Sequence, residues 1–215
     1  RYINIFQRIN VEEVGLVHIE TREDANNFEN IKVLERASCI FFTGGDQLRI
    51  TSLMGGTESE RIIRERYETG TIIAGTSAGA SAMSETMITS GRDDDSPKKC
   101  TLKMAPGLGL LKDTIIDQHF AQRGRIGRLL LAIAQNPQML GVGIDEDTGI
   151  IVMPNAVFEV IGSNAVTILD GKNCTMTNVS ELDPKQVLAM TDVIMHVLPA
   201  GYKYDLDTRK PVLRR

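Results

Sequence analysis

The stretch "TIIAGTSAGASAM", residues 71–83, changes character halfway along. Thr71, Ile72, Ile73 and Ala74 read as a buried strand, because a short apolar run rich in β-branched residues suits a sheet interior. Gly75-Thr76-Ser77-Ala78-Gly79 then sets a serine between glycines, and small helix formers follow at once. Gly-x-Ser-x-Gly where a strand meets a helix is the nucleophile-elbow pattern. The turn is too sharp for bulky neighbours, so glycines flank the serine. The Ser77 Oγ is then raised at the carboxyl end of the strand. The N-terminus of the following helix, expected over residues 78–88, offers backbone N–H groups to a developing oxyanion. The competing reading of the same five residues is a tight turn of small residues, or a phosphate-cradling loop.

A serine needs a base to act as a nucleophile at neutral pH, and the chain has only three histidines. His18 falls in an expected strand, residues 14–20, ahead of the elbow. His196 alternates inside "VIMHVLP" as a strand residue. His119 ends "TIIDQHF", at the carboxyl end of a β-branched run, the rim where α/β sheets keep their ligands. His119 is therefore the candidate base. The acid that would orient it comes from "GVGIDEDTGIIV", which offers Asp145, Glu146 and Asp147 at a turn between strands; spacing does not choose among them. The chain order is then serine, histidine, acid. His196 with one of the same acids is the rival set, and it would restore the α/β-hydrolase order of serine, acid, histidine.

Around these segments helices and strands alternate over the first 150 residues. Residues 2–9 and 22–37 read as helices, the latter capped by Asn27 or Asp24, and 57–70 as an amphipathic helix closed by Gly70. "SCIFF", "TIIDQ", "GVGID" and "GIIVM" read as strands, and "GRIGRLLLAIAQN" as a helix stopped at Asn136-Pro137. The last third reads as hairpin-like strands. The pattern predicts a doubly wound, mostly parallel α/β sheet with antiparallel strands appended.

Arg123, Arg125 and Arg128 precede or open the helix after His119. A cation there is disfavoured by roughly 0.3–1 kcal/mol, so three together call for a compensating partner. An anionic substrate group fits, since guanidinium grips carboxylate in a bidentate fork. Thr43 to Gln47 form a second strand-to-loop junction. There Gly44 or Gly45 lets a backbone N–H join that of Ala78 as an oxyanion donor, and Gln47 can bond substrate. Asp93-Asp94-Asp95 read as a solvated run. The net charge of −4 disfavours nucleic acid or an anionic membrane as partner. Cys39, Cys100 and Cys174 form no metal or disulfide framework, and no apolar run approaches the roughly 18 residues that span a bilayer. The chain reads as cytoplasmic, although it begins at Arg1 without an initiator Met, which leaves a removed leader open.

The segments "FFTGGDQL", "IAGTSAGASAMSETMI", "IDQHFAQRGRIGRLL" and "GVGIDEDTGIIV" together closely resemble the cyanophycinases, serine peptidases related to peptidase E. The resemblance runs on through "FEVIGSNAVTILDG" and "HVLPAGYKYDL". It implies a fold like that of class I glutamine amidotransferases, with serine in place of their cysteine. It implies one peptidase domain over residues 1–215, with a further strand and glycine-rich turn ahead of Arg1. The family's nucleophile falls on Ser77, its base on His119 and its acid on Glu146. Its substrate pocket falls on Gln47, Asp117, Gln118, Arg123, Arg125 and Arg128. The implied substrate is cyanophycin, a poly-aspartate backbone carrying arginine on each β-carboxyl, cut to β-Asp-Arg dipeptides. Its α-carboxylates suit the three arginines, and its guanidinium groups suit an acid such as Asp117. No metal or organic cofactor is needed, and relatives suggest a homodimer. An aspartyl dipeptidase of the peptidase E type and a non-catalytic binder of an anionic metabolite are the other readings.

Overall fold

The computed structural model describes residues 2–91, 96–98, 102–183 and 186–212, so the Asp93-Asp94-Asp95 run lies outside the described residues. The chain divides into two units, Arg1–Phe41 with Arg49–Ala74, and Phe42–Leu48 with Gly75–Arg215.

The first unit is mostly helical: α1 (Tyr2–Arg8), α2 (Phe28–Arg36), strand β1 (Cys39–Phe42), α3 (Gln47–Met54), α4 (Glu58–Glu68) and strand β2 (Ile72–Gly75). The last residues of β1 and β2 and the first two of α3 belong to the second unit. Of the two candidate caps, Asn27 is the one that starts α2, its Oδ1 accepting the Glu29 N–H at 2.9 Å. Tyr2 and Phe6 of α1 pack on the Phe41 ring. The expected strand over residues 14–20 does not form. The segment has no hydrogen-bonded strand partner among the described residues, and Leu16 faces solvent. Sequence alternation is not enough where no sheet edge is available to pair the backbone. His18 lies in this segment and pairs with Glu20.

The second unit carries α5 (Ala78–Ala82), β3 (Thr86–Gly91), β4 (Leu102–Pro106), β5 (Thr114–Gln118), α6 (Ile126–Gln135), β6 (Leu140–Ile144), β7 (Thr148–Val152), β8 (Val157–Gly162), β9 (Ala165–Asp170), β10 (Ile194–Pro199), β11 (Lys203–Asp205) and β12 (Lys210–Val212). Its strands form a pair β3-β4 and two four-stranded sheets, ordered β10-β9-β6-β5 and β12-β11-β8-β7. The architecture is mixed α/β. β5 and β6 run parallel, the other described pairings between these strands are antiparallel, and an isolated bridge between Ser84 and Leu111 is parallel.

Two expectations change here. The elbow helix stops at Ala82 rather than reaching 88, because Thr86, Met87 and Ile88 find a partner strand in Met104–Pro106 of β4. The late strands are not simple neighbours in sequence order either: β8 pairs with β7 and β11, while β9 pairs with β6 and β10. The chain crosses from one sheet to the other between β6 and β7, and back between β8 and β9.

The sheet holding β5 and β6 has a core on each face. Successive strand residues point to opposite sides, so Ile115 joins Leu129, Ile133 and Leu169 in one cluster with α6. Ile116 joins Val142, Phe158 and Tyr204 in the other. Full burial of each such side chain contributes about 1.5–3 kcal/mol. This burial on both sides holds the carboxyl ends of β5 and β6 level with each other.

Candidate active site

The two elbow glycines answer to steric need. A Cβ on Gly75 would lie 2.6 Å from the Gly79 backbone, and one on Gly79 would fall inside 3.0 Å of the Phe42 carbonyl. Gly79→Ala is expected to lower stability by about 2 kcal/mol, measured as a fall in urea midpoint at unchanged m-value. Ser77 itself sits at φ 52°, ψ −116°, a strained conformation for a residue with a Cβ. Behind it the Ser81 hydroxyl donates to the Ile116 carbonyl at 3.3 Å, and the Ile116 N–H donates to Ser84 Oγ at 3.0 Å. The elbow is thereby tied to β5, the strand that ends in the candidate base.

His119 follows the last residue of β5 and turns with φ 51°. Gln118 is in register with Ile144 of β6, so parallel pairing brings His119 and the residues after Ile144 out at the same end of the sheet. Glu146 Oε1 lies 2.8 Å from His119 Nδ1, and Ser77 Oγ lies 3.1 Å from His119 Nε2. A carboxylate only accepts, so Nδ1 is the protonated nitrogen. Nε2 of the neutral ring is then left as acceptor for the serine O–H. Asp145 serves elsewhere, accepting the Ala121 and Ala165 N–H groups. Asp147 continues the turn at φ 52°. His196, of the rival set, packs on the Tyr204 ring in β10, 5.6 Å between centroids.

A cleft of about 310 Å³ opens beside Ser77 and His119, walled by Gly45, Gln47, Gln118, Arg123, Arg125 and Arg128. That is near the lower bound for a small-ligand site. The Ala78 N–H, at the buried first position of α5, has no acceptor among the described residues. Buried donors rarely stay unpaired, which makes it a candidate oxyanion donor. Gln47 donates its amide to the Ile88 carbonyl at 2.7 Å, which fixes its carbonyl oxygen at the wall.

Asp117 departs from expectation. Its side chain is 1% exposed and does not line the cleft. Arg128 grips both of its oxygens, through Nε at 2.7 Å and through Nη2, and Arg125 approaches within 3.5 Å. It shares the face of β5 that carries Ile115, towards α6, where it meets the guanidiniums of Arg125 and Arg128. The compensation for basic residues at the start of α6 is thus partly internal. Arg125 and Arg128 still line the cleft while buried beside that carboxylate, and Arg123 is exposed at its edge. Thr89, Ser90 and Gly91 also form the wall. They end β3, whose start the helical reading of residues 78–88 covered, although the β-branched residues Thr86, Ile88 and Thr89 carried the strand signal.

Comparison with known proteins shows the family of the chain. Residues 2–160 match the model of peptidase family S51. The chain is 36% identical over 213 residues to a cyanophycinase of Geminocystis herdmanii, covering 99% of this chain and 78% of that protein. It is 39% identical over 210 residues to a cyanophycinase of Trichormus variabilis, covering 97% and 70%. The crystal structure of a peptidase from an acI-B1 Actinobacterium superposes with a TM-score of 0.61 at 23% identity, over 90% of this chain and 73% of that one, a likeness of fold alone. With the family pattern spanning most of its length and such relatives matching nearly all of it, the chain belongs to peptidase family S51.

Proposed function

We propose that this chain is a serine exopeptidase that hydrolyses the aspartate backbone of cyanophycin to β-Asp-Arg dipeptides. The observation that carries the reading is the unbroken line from Ser77 Oγ through His119 to Glu146, set beside a cleft walled by three arginines. In this reading Ser77 Oγ attacks a backbone carbonyl carbon and its proton passes to His119 Nε2. Glu146 stabilises the imidazolium that results. The N–H groups of Gly45 and Ala78 receive the charge on the carbonyl oxygen. His119 then protonates the leaving amine, and water, deprotonated by His119, releases the acyl group from Ser77. Arg123, Arg125 and Arg128 bind the α-carboxylates that cyanophycin presents on its arginine branches.

We also propose the class I glutamine amidotransferase-like, doubly wound arrangement for this fold. The parallel β5–β6 pair, with base and acid leaving its carboxyl end, supports it. No described helix is long and apolar enough to cross a membrane.

Incubation with insoluble cyanophycin is expected to release β-Asp-Arg as the main soluble product, identified by mass spectrometry. Cleavage of Asp-X dipeptides with no release from cyanophycin overturns the substrate assignment. Absence of Ser77 labelling by a fluorophosphonate, in protein shown to be folded, overturns the chemistry.

A further inference from the structure

Glu146 presents a problem of control. Its side chain is about half exposed (49%), and its carboxylate has no hydrogen-bond partner besides His119 among the described residues. A free carboxylate in a surface turn samples several rotamers, yet it has to meet one ring nitrogen. Its direction must therefore come from the backbone that carries it. Both polar groups of that backbone are held by side chains. The Glu146 N–H donates to Gln122 Oε1 at 3.0 Å. The Glu146 carbonyl accepts from Asn164 Nδ2 at 2.9 Å and from Thr148 Oγ1 at 3.0 Å.

We propose that Gln122 and Asn164 are positioning residues that fix the Glu146 carboxylate against His119. The inference rests on the reading of Glu146 as the acid that orients the base. Gln122 lies three residues after His119, in the 3-10 turn Ala121–Arg123. One short bond thereby ties the segment of the base to the residue of the acid. Asn164 comes from the opposite side, where the chain crosses from β8 to β9. The fold around the turn is already closed by backbone bonds: Phe120 N–H to Ile144, Asp145 N–H to Ala165, and Ser163 N–H to Asp147. Asp145 adds bonds to Ala121 and Ala165. The Gln122 and Asn164 side chains thus contribute little that the crossover lacks. What they add falls on the one residue that bears the carboxylate.

The test is a double-mutant cycle. Gln122→Met keeps the chain length and removes the acceptor; Asn164→Leu removes the donor. Each is expected to lower kcat on soluble cyanophycin fragments about three- to tenfold, the rate equivalent of one exposed hydrogen bond, with KM changed less than about twofold. The rate of Ser77 phosphonylation by a fluorophosphonate, which requires no choice of substrate, should fall in step. Gln122→Glu retains an acceptor and should recover most of the loss. In a Glu146→Ala background, itself slowed at least about 100-fold, Gln122→Met should cost nothing further. An equal cost of Gln122→Met in both backgrounds, a loss carried by KM, or no recovery in Gln122→Glu overturns the inference alone. A Glu146→Ala variant with full kcat overturns the reading of Glu146 and the inference with it.

Discussion

Replacing Ser77 with alanine is expected to lower kcat by about 10⁴- to 10⁶-fold and to leave the fold intact, the loss typical of removing a serine nucleophile. The selectivity of the effect follows from what the hydroxyl touches. Ser77 stands at the head of α5, the position where a serine usually caps a helix, yet its side chain makes no capping bond. Its side-chain partner among the described residues is His119 Nε2 at 3.1 Å. Alanine therefore removes the attacking oxygen without leaving a backbone N–H newly unpaired. The strained φ of 52° is unchanged by the substitution, since both residues carry a Cβ. The urea midpoint should stay within about 0.5 kcal/mol of the parent, the range of substitutions that remove no structural contact. The cleft should still bind soluble fragments, because the arginine wall is untouched. Product release by mass spectrometry, together with loss of fluorophosphonate labelling, checks the prediction. A Ser77→Ala protein that retains more than about a hundredth of the parent kcat, well above the residual activity such a loss leaves, is incompatible with acyl transfer through this serine.

The parts of the fold that were legible in the sequence are those where local pattern and tertiary need coincide. The elbow is the clearest: Gly75 and Gly79 are required by close backbone approach, and that requirement shows as a residue pattern. His119 was legible because a β-branched run points to its own carboxyl end. The turn at 145–147 was half legible. It was visible as acidic, but adjacent residues face different ways, and the partners of Asp145 come from 24 and 20 residues away. Strand β3 was hidden because its partner strand begins only at Leu102, while the small residues ahead of it favour helix. Gln122 and Asn164 left no signal at all, since each acts on backbone atoms 24 or 18 residues distant. Asp117, expected to face substrate, is bonded by Arg128, and the period of two already placed it on the face of Ile115. Combined with arginines three apart at the start of α6, that alternation pointed into the protein.

Asp117→Asn should accordingly act first on the fold and only through it on the substrate. The substitution keeps the side-chain shape and removes its charge. Arg128, 7% exposed along its side chain, then loses the carboxylate that holds both its Nε and its Nη2. Arg125, 5% exposed, loses the same counter-charge and keeps its bond to the Gln118 carbonyl at 2.5 Å. Removing one partner of a buried ion pair typically costs about 3–5 kcal/mol, because the remaining charge stays desolvated without compensation. Urea titration should show that loss as a lower midpoint with an unchanged slope. Where the variant still folds, its kinetics separate two roles for the acid. If Asp117 holds the guanidiniums in the fork geometry that grips carboxylate, KM should rise at least about tenfold, the loss of roughly one charge-assisted hydrogen bond. The kcat should change much less, since the Ser77–His119–Glu146 line makes no contact with Asp117. If instead the carboxylate contacts the arginine branch of the substrate directly, Asp117→Asn should raise KM with little loss of stability. The buried bidentate contact with Arg128 argues for the first outcome, and the pair of measurements distinguishes them on a single variant.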